Sequence, residues 1–495
     1  MNFTSFHFVF FFFTTLVLGH LLKGRPQRIF LLAVSYYFYG VFEPYYLILI
    51  LFSTAWDYLA GLAIAYRRQW EQNGGSRSLI ARLPARFYLT ASIIINLALL
   101  GYFKYTNFGI TMLNDAHPLG NTVFAFPAES ILLPVGISFY TFQSMSYTID
   151  VYRGVLEARR DPVDFALYVT FFPQLVAGPI VRATTFLKQL DEGYSIGKND
   201  IIVGVTRIIV GFFRKLVLSD NLAPVVNQVF GNPAGYGTLD IWVASLAFGW
   251  QIYLDFAGYT DIARGVARLF GYEFEINFLY PMAASSITDH WSRWHISLTT
   301  WIRDYVFIPL GGSRVGPIRT YLNIGVVWLA TGIWHGAAYH FVAWGIWQFV
   351  MIAIHRVYGL SALGQRMRET GGLLYGIASR ILLFFCLSFG FIWFRAPDMS
   401  TATLMQGRKF GFENLNESFV FNSKLLSLSN LHGLKEFIAL LILLWVYELF
   451  FNKYQLEYFW KPENRKKLIG ILIGMLYLII AMTPAETPNF LYFQF

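Results

Sequence analysis

Long apolar stretches recur along this chain of 495 residues, and they limit what it can fold into more than any other feature. Several of them approach the roughly 20 residues that an α-helix needs to cross a lipid bilayer. A bilayer offers the backbone no hydrogen-bonding partners, so only helices and closed barrels can span it. Charged residues make up 14% of the chain, whereas a soluble domain carries about 25%. The sequence therefore predicts an all-α polytopic membrane protein.

The apolar segments are separated by short polar loops, and one of them is broken between Gly332 and Gly336. With re-entrant or interfacial helices counted separately, we expect about 11–13 transmembrane helices. No internal repeat and no long linker marks a second domain, so residues 1–495 are predicted to form one integrated domain. The predicted segments are residues 5–22, 28–42, 45–66, 87–112, 131–149, 163–180, 199–230, 239–270, 320–358, 374–395, 434–452 and 467–483.

Basic residues lie mainly in the short loops between these segments. The net charge is +9, but it forms no long basic face or tail, so topology explains it better than nucleic-acid binding does. Cytoplasmic loops are enriched in Lys and Arg, which places residues 67–86 in the cytoplasm and residues 114–130 outside. Neither Lys nor Arg lies between Met1 and Leu22, and neither follows Pro484. We therefore expect an uncleaved first span and two extracytoplasmic termini.

Residues 286–312 do not fit a helix that faces lipid, because charged residues and two histidines lie there among three tryptophans. Such polar backbone is tolerated at membrane depth only where protein or water lines it, so we expect a re-entrant or interfacial segment. On a helix, Asp289 and Arg293 are four residues apart and can pair. His290 and His295 would lie about 140° apart and could not face one site together. We therefore interpret His295 as the catalytic candidate and His290 as a polar surface residue.

His335 lies between Trp334 and Gly336, near the predicted break. An indole on one side favours the neutral imidazole, which is the state that a general base requires. Glycine on the other side lets a backbone or a substrate approach closely. A buried histidine that only hydrogen-bonds another helix fits the same sequence, so both interpretations stay open.

The sequence carries few signals for other chemistry. The histidine spacings 290/295 and 335/340 differ from the i, i+4 spacing of a zinc-binding helix, so no metal site is predicted. No phosphate-binding glycine loop and no nucleophile elbow is present. The single cysteine, Cys386, excludes an intrachain disulfide, and its apolar neighbours indicate a buried structural thiol.

Asp261, Arg264 and Arg268 fall at positions i, i+3 and i+7, so they share one face of a predicted helix. One interpretation is a stripe of ion pairs that packs against other helices. The other is that the two arginines, near the cytoplasmic mouth of the span, bind a phosphate-rich anionic donor.

Several motifs together resemble the membrane-bound O-acyltransferase family, and their core covers about residues 131–350. The C-terminal run FLYFQF at 490–495 resembles the bacterial polysaccharide branch of that family, which is the alginate type. His290 is a departure, because relatives often carry an apolar residue there. The motifs are PVGISFYTFQ at 134–143, FPQLVAGP at 172–179, DFAGYTD at 255–261, WSRWH at 291–295, WIRDY at 301–305, PLGG at 309–312 and WHG at 334–336.

The resemblance implies a helical membrane domain around a central funnel or tunnel that joins the two faces. It implies that His335 is catalytic, that His295 is the second functional position, and that no cofactor is tightly bound. Further candidates for substrate or donor binding are Asp289, Trp291, Trp294, Trp334, Asp261, Arg264 and Arg268.

The implied activity is transfer of an acyl group, most simply acetyl from cytoplasmic acetyl-CoA, to an extracytoplasmic hydroxyl. The expected setting is O-acetylation of an exported polysaccharide at the bacterial inner membrane, with an extracytoplasmic hydrolase-like partner that completes the transfer. Two alternatives stay open. One is D-alanyl transfer to teichoic acid, and the other is a non-catalytic transporter of acyl groups or a scaffold.

Overall fold

The computed structural model describes most of the chain as helices and connecting turns, and the described part contains no β-strand. This confirms the predicted all-α class. The described residues are 1, 3–41, 43–73, 83–116, 131, 133–175, 178–193, 196–411, 440–452, 460–484, 488 and 490–491.

The chain divides into two compact units. The first unit comprises residues 1–208 and 259–275, and the second comprises residues 209–258 and 276–495. Two helices, Lys198–Phe212 and Thr238–Leu269, therefore contribute residues to both units. The single integrated domain expected from the sequence stays a prediction.

The first unit consists of the N-terminal helices and residues 259–275, and it contains a cluster of buried phenylalanines. Within that cluster the ring centroids of Phe38 and Phe172 lie 5.6 Å apart, and those of Phe172 and Phe270 lie 5.8 Å apart. A π-helical turn, Gly101–Tyr105, joins α4 to α5. The helices are α1 (Phe6–Leu21), α2 (Arg25–Gly40), α3 (Tyr46–Asn73), α4 (Ala85–Leu100), α5 (Thr106–Ala116), α6 (Ile137–Arg153), α7 (Pro162–Thr170), α8 (Phe172–Leu175), α9 (Ala183–Glu192) and α10 (Lys198–Phe212).

The second unit contains the two histidines that the sequence selects. Short helices and π-helical turns, Phe213–Ser219 and Arg303–Phe307, alternate here with long apolar helices. The helices are α11 (Ala223–Gly231), α12 (Thr238–Leu269), α13 (Ile287–Arg293), α14 (Ile296–Ile302), α15 (Pro317–His335), α16 (Tyr339–Leu360), α17 (Ala362–Thr370), α18 (Gly372–Arg395), α19 (Met399–Lys409), α20 (Leu440–Asn452) and α21 (Arg465–Met482).

Among the described residues, four helical segments are long and apolar enough to cross a membrane. They are Tyr46–Gln72, Ala85–Ala116, Tyr339–Leu360 and Gly372–Arg395. They agree with a polytopic membrane protein, while the expected total of 11–13 transmembrane helices stays a prediction.

The predicted segment 163–180 does not form one helix. α7 ends at Thr170, and α8 covers only Phe172–Leu175. Pro173 lacks a backbone N–H, and its ring would collide with the carbonyl four residues earlier if α7 continued. The predicted break at Gly332–Gly336 is confirmed, because α15 ends at His335 and α16 begins at Tyr339.

α15 and α16 approach each other closely through two glycines. A Cβ atom at Gly332 would lie 2.5 Å from the Phe341 carbonyl oxygen, and one at Gly345 would lie 2.6 Å from the Trp328 carbonyl oxygen. Neither position can accept a side chain unless the helices separate. This close packing holds the C-terminal end of α15, and with it His335.

Candidate active site

His335 is the last residue of α15, and its imidazole is enclosed by aromatic rings. The ring centroid lies 4.9 Å from that of Trp334, 5.1 Å from Trp344 and 5.1 Å from Phe394. The residue is 5% exposed. A Cβ atom at Gly336 would lie 1.9 Å from the ring of Phe341, so only glycine lets that ring pack against the turn after His335.

His295 has a left-handed backbone, with φ 43° and ψ 54°. Histidine enters this region more often than most residues but still at a cost. α13 ends at Arg293, Trp294 is extended, and α14 begins after His295. His290 and His295 therefore do not lie on one helix, and the helical angle expected between them was based on a wrong assumption.

Asn277 holds the start of α14 in place. Its carbonyl oxygen accepts a hydrogen bond of 2.9 Å from the Ile296 amide. Its side-chain oxygen accepts from the amide and the hydroxyl of Ser297, at 3.2 and 2.9 Å. Asn277 is fully buried. Sequence reasoning missed this residue, because an isolated asparagine in a polar loop gives no signal of the turn that it will cap.

The His295 imidazole is buried against apolar rings. Its centroid lies 4.7 Å from that of Phe256, with the rings nearly perpendicular, and 6.4 Å from that of Phe278. The Trp334 indole lies 6.2 Å away. Trp334 therefore contacts both candidate histidines.

His295 and His335 line one cavity of about 310 Å³. This volume is at the lower end for small-molecule sites. We call it the histidine cavity. It also brings together Trp291 and Trp294, which the sequence proposed as binding residues. Trp334 and Asp289 do not line it. The remaining lining residues are Thr288, Ser292, Leu298, Thr299, Ile302, Arg303, Phe307, Val327, Trp328, Thr331 and Ile352.

Asp289 forms the ion pair that its spacing from Arg293 predicts. The Arg293 Nε atom donates to Asp289 Oδ1 at 2.6 Å, and the Ser285 amide donates to Oδ2 at 3.1 Å. Arg293 also donates to Asn452 Oδ1 at 2.8 Å. These contacts attach α13 to α20.

His290 is buried, so its interpretation as a polar surface residue was wrong. The side chain is 2% exposed, and its ring stacks on Trp294 at a centroid distance of 5.5 Å. The Nδ1 atom lies 3.1 Å from the Pro281 carbonyl oxygen. The turn at residues 281–283 packs over this face of α13, which the sequence spacing alone could not show.

His290 and His335 line a second, smaller cavity of about 30 Å³. We call it the small cavity. Among the described residues, no group of three or more His, Cys, Asp or Glu side chains is arranged to hold a metal ion. Cys386 lines neither cavity.

Asp261, Arg264 and Arg268 lie in the part of α12 that belongs to the first unit, and none of them lines either cavity. Arg268 pairs with Asp200 at 2.6 Å and with Glu273. Arg264 donates to the Phe274 carbonyl at 3.1 Å, and Asp261 lies 3.9 Å from Arg207. The role of the two arginines in donor binding stays a prediction.

Residues 156–393 match the family model of the membrane-bound O-acyltransferases. The chain is also 38% identical over 416 residues to the probable alginate O-acetylase AlgI of Pseudomonas putida, which covers 83% of this chain and 81% of that relative. The chain belongs to the membrane-bound O-acyltransferase family. Both cavity histidines fall inside the matched region, and the resemblance found in the sequence is confirmed.

Two further relatives are named for action on other polymers. The chain is 30% identical to the peptidoglycan O-acetyltransferase of Helicobacter pylori, over 76% of this chain and 72% of that relative. It is 28% identical to the teichoic acid D-alanyltransferase of Bacillus subtilis, over 47% of this chain and 61% of that relative. The family match and these relatives together identify the protein as a membrane O-acyltransferase.

Proposed function

We propose that this O-acyltransferase moves an acetyl group from cytoplasmic acetyl-CoA to a hydroxyl on the extracytoplasmic side, with His335 as the general base. The main support for this proposal is that His295 and His335 line the same cavity, the histidine cavity. A hydroxyl and a thioester carbonyl that meet there lie beside a base and are enclosed by aromatic side chains.

In the proposed reaction, an unprotonated nitrogen of His335 takes the hydroxyl proton as the oxygen attacks the thioester carbonyl carbon. The bond from that carbon to sulfur then breaks. The thiolate of coenzyme A takes the proton back from the imidazolium and leaves as a thiol. His295 positions the reacting groups, and Trp291 and Trp294 enclose them. Cys386 takes no part, so the acyl group passes directly to the hydroxyl.

We extend the proposal to an exported polysaccharide as the final acceptor. Two relatives support it, since they are named for O-acetylation of alginate and of peptidoglycan. The distribution of basic residues supports donor entry from the cytoplasm and extracytoplasmic termini in a bacterial inner membrane. A hydrolase-like extracytoplasmic partner would carry the acetyl group from this protein to the polymer.

The ester content of the exported polymer tests the proposal. Cells that lack the gene are complemented with the wild type or with His335→Ala, and acetyl and D-alanyl esters are measured separately. We expect acetyl esters only with the wild type. Normal acetylation without the gene, or with a well-expressed His335→Ala, would contradict the proposal. Loss of D-alanyl esters alone would favour the second candidate, D-alanyl transfer, which the partial similarity to the teichoic acid enzyme supports.

A further inference from the structure

The small cavity shares three lining residues with the histidine cavity, namely Trp291, Trp294 and His335. Its volume of about 30 Å³ is enough for one water molecule. Two further polar side chains, His290 and Gln348, line it. A buried water needs two to four polar partners, and these two side chains with His335 supply three. His335 thus lines both the histidine cavity and the small cavity, whose remaining walls are aromatic and aliphatic.

The tautomer of His290 follows from its contact with Pro281. A carbonyl oxygen can only accept a hydrogen bond, so the Nδ1 atom that lies 3.1 Å from it carries the proton. The Nε2 atom of the neutral ring is then an acceptor. A water molecule in the small cavity can therefore donate a hydrogen bond to His290 Nε2.

The turn that holds His290 is itself held by a buried carboxylate. The Met282 amide donates to Glu448 Oε1 at 3.0 Å, and the Tyr253 hydroxyl donates to Glu448 Oε2 at 3.1 Å. Glu448 is fully buried. The Pro281 carbonyl therefore has a fixed position, and so does the ring that it orients.

Gln348 has a defined orientation as well. Its Oε1 atom accepts from the Trp291 indole N–H at 3.2 Å, so its amide nitrogen remains the donor group. A Cβ atom at Gly390 would lie 2.8 Å from that nitrogen, so glycine leaves room for the amide.

We propose that His290 is a positioning residue that orients His335 through one water molecule in the small cavity. The water accepts hydrogen bonds from the Gln348 amide and from a ring N–H of His335, and it donates to His290 Nε2. This holds His335 in the tautomer whose unprotonated nitrogen faces the histidine cavity. No proton leaves His335 by this route, since the imidazolium continues to donate to the water. The inference rests on the proposed role of His335 as the general base.

The test compares substitutions that separate the two nitrogens of His290. His290→Asn keeps a donor for the Pro281 carbonyl but removes the acceptor at Nε2, whereas His290→Gln returns an oxygen near the Nε2 position. The protein is assayed in lipid vesicles with acetyl-CoA as donor, and the acceptor is the extracytoplasmic partner together with a hydroxyl-bearing oligosaccharide. Loss of a hydrogen-bonding partner that orients a metal-bound histidine typically lowers activity by about 10–100-fold, and we expect a similar loss for His335.

We expect kcat of His290→Asn to fall in that range while KM for acetyl-CoA and Tm stay near the wild type. His290→Gln should regain part of kcat. His340→Phe is the matched control, because His340 is also buried and also contacts a backbone carbonyl, Trp393 O at 2.8 Å, but lines neither cavity. It should leave kcat unchanged.

Full kcat in folded His290→Asn would overturn the inference, as would equal losses in His290→Asn and His340→Phe. Gly390→Ala leaves His290 intact but displaces the Gln348 amide that donates to the same water, because its Cβ atom would lie 2.8 Å from Gln348 Nε2. This variant tests the inference if the His290 variants fail to fold. A lowered kcat supports it and an unchanged kcat contradicts it. His335→Ala is measured in parallel. If it is active, the general base itself is wrong; if it is inactive and His290→Asn is fully active, only this inference fails.

Discussion

His295 and His335 line the same cavity although 40 positions separate them in the chain. The left-handed turn at His295 brings its ring beside Phe256 and Trp334, and the end of α15 places His335 beside the same Trp334. Two short-range features therefore build the site: the backbone turn between α13 and α14, and the break between α15 and α16.

Asn277→Ala should lower both stability and activity. Loss of its two side-chain hydrogen bonds to Ser297 should cost about 1–3 kcal/mol, and His295 would lose the cap that supports its left-handed turn. Thermal unfolding and acetyl transfer per folded protein measure the two effects. Asn323→Ala is the matched control, because Asn323 is a buried asparagine that donates to the carbonyls of Leu310 and Gly312 and lines neither cavity. It should lose stability alone. Equal activity in both variants would contradict the role assigned to Asn277.

Gly336→Ala should abolish activity or folding, because its Cβ atom would lie 1.9 Å from the Phe341 ring. Gly325→Ala in the same helix provides the comparison. There a Cβ atom would meet the Phe349 ring at 3.6 Å, which is ordinary contact. Glycine inside a helix costs roughly 0.5–1 kcal/mol relative to alanine, so Gly325→Ala should be neutral or slightly stabilising. Yield and thermal stability in detergent, followed by acetyl transfer, give the readout. A fully active Gly336→Ala would show that the turn after His335 tolerates a side chain.

The two ends of α3 should lie on opposite sides of the membrane. The segment Tyr46–Gln72 spans 27 residues, about 40 Å of helix at 1.5 Å per residue, and the basic loop after it is expected in the cytoplasm. In a Cys386→Ala background, Tyr45→Cys should react with a membrane-impermeant thiol reagent in intact cells, and Gln72→Cys should react only after lysis. The reverse labelling pattern would invert the proposed sides of donor and acceptor.

Much of this architecture could be predicted from the sequence, because apolar length and motif spacing are local properties. The spans that became α3 and α18, the break after His335 and the pair between Asp289 and Arg293 all followed from such patterns. The predicted segment 163–180 failed because the hydropathy pattern outweighed a proline signal that the sequence did carry.

The features of the site that the sequence did not predict depend on contacts between distant residues. The burial of His290 requires the turn at 281–283, which Glu448 holds from a helix 166 positions away from Met282. The left-handed backbone of His295 is supported by the hydrogen bond from the Ser297 amide to Asn277, which lies 20 positions earlier in the chain. Sequence periodicity does not indicate contacts between residues this far apart in the chain.

Arg264 and Arg268 are the residues proposed to bind the acyl donor. If they bind the phosphates of acetyl-CoA, changing both to Gln should raise KM for the donor by about tenfold or more, since a hydrogen bond to a charged group contributes roughly 1.5–3 kcal/mol. Arg28→Gln is the control for a lost ion pair, because Arg28 pairs with buried Asp164 at 3.0 Å in the same unit. It should lower Tm without changing KM. An unchanged KM in the folded double variant, with only a lower Tm, would leave the two arginines as structural ion pairs.

The role of His335 as the general base is tested by the rate of acetyl transfer by purified protein in vesicles when His335 is replaced by Ala or Gln. General base catalysis contributes about 10²–10⁴-fold to a rate. Both variants should insert, unfold near the wild-type Tm and lose at least about a hundredfold in kcat. Transfer by either folded variant at close to the wild-type rate would contradict the assignment of His335 as the base.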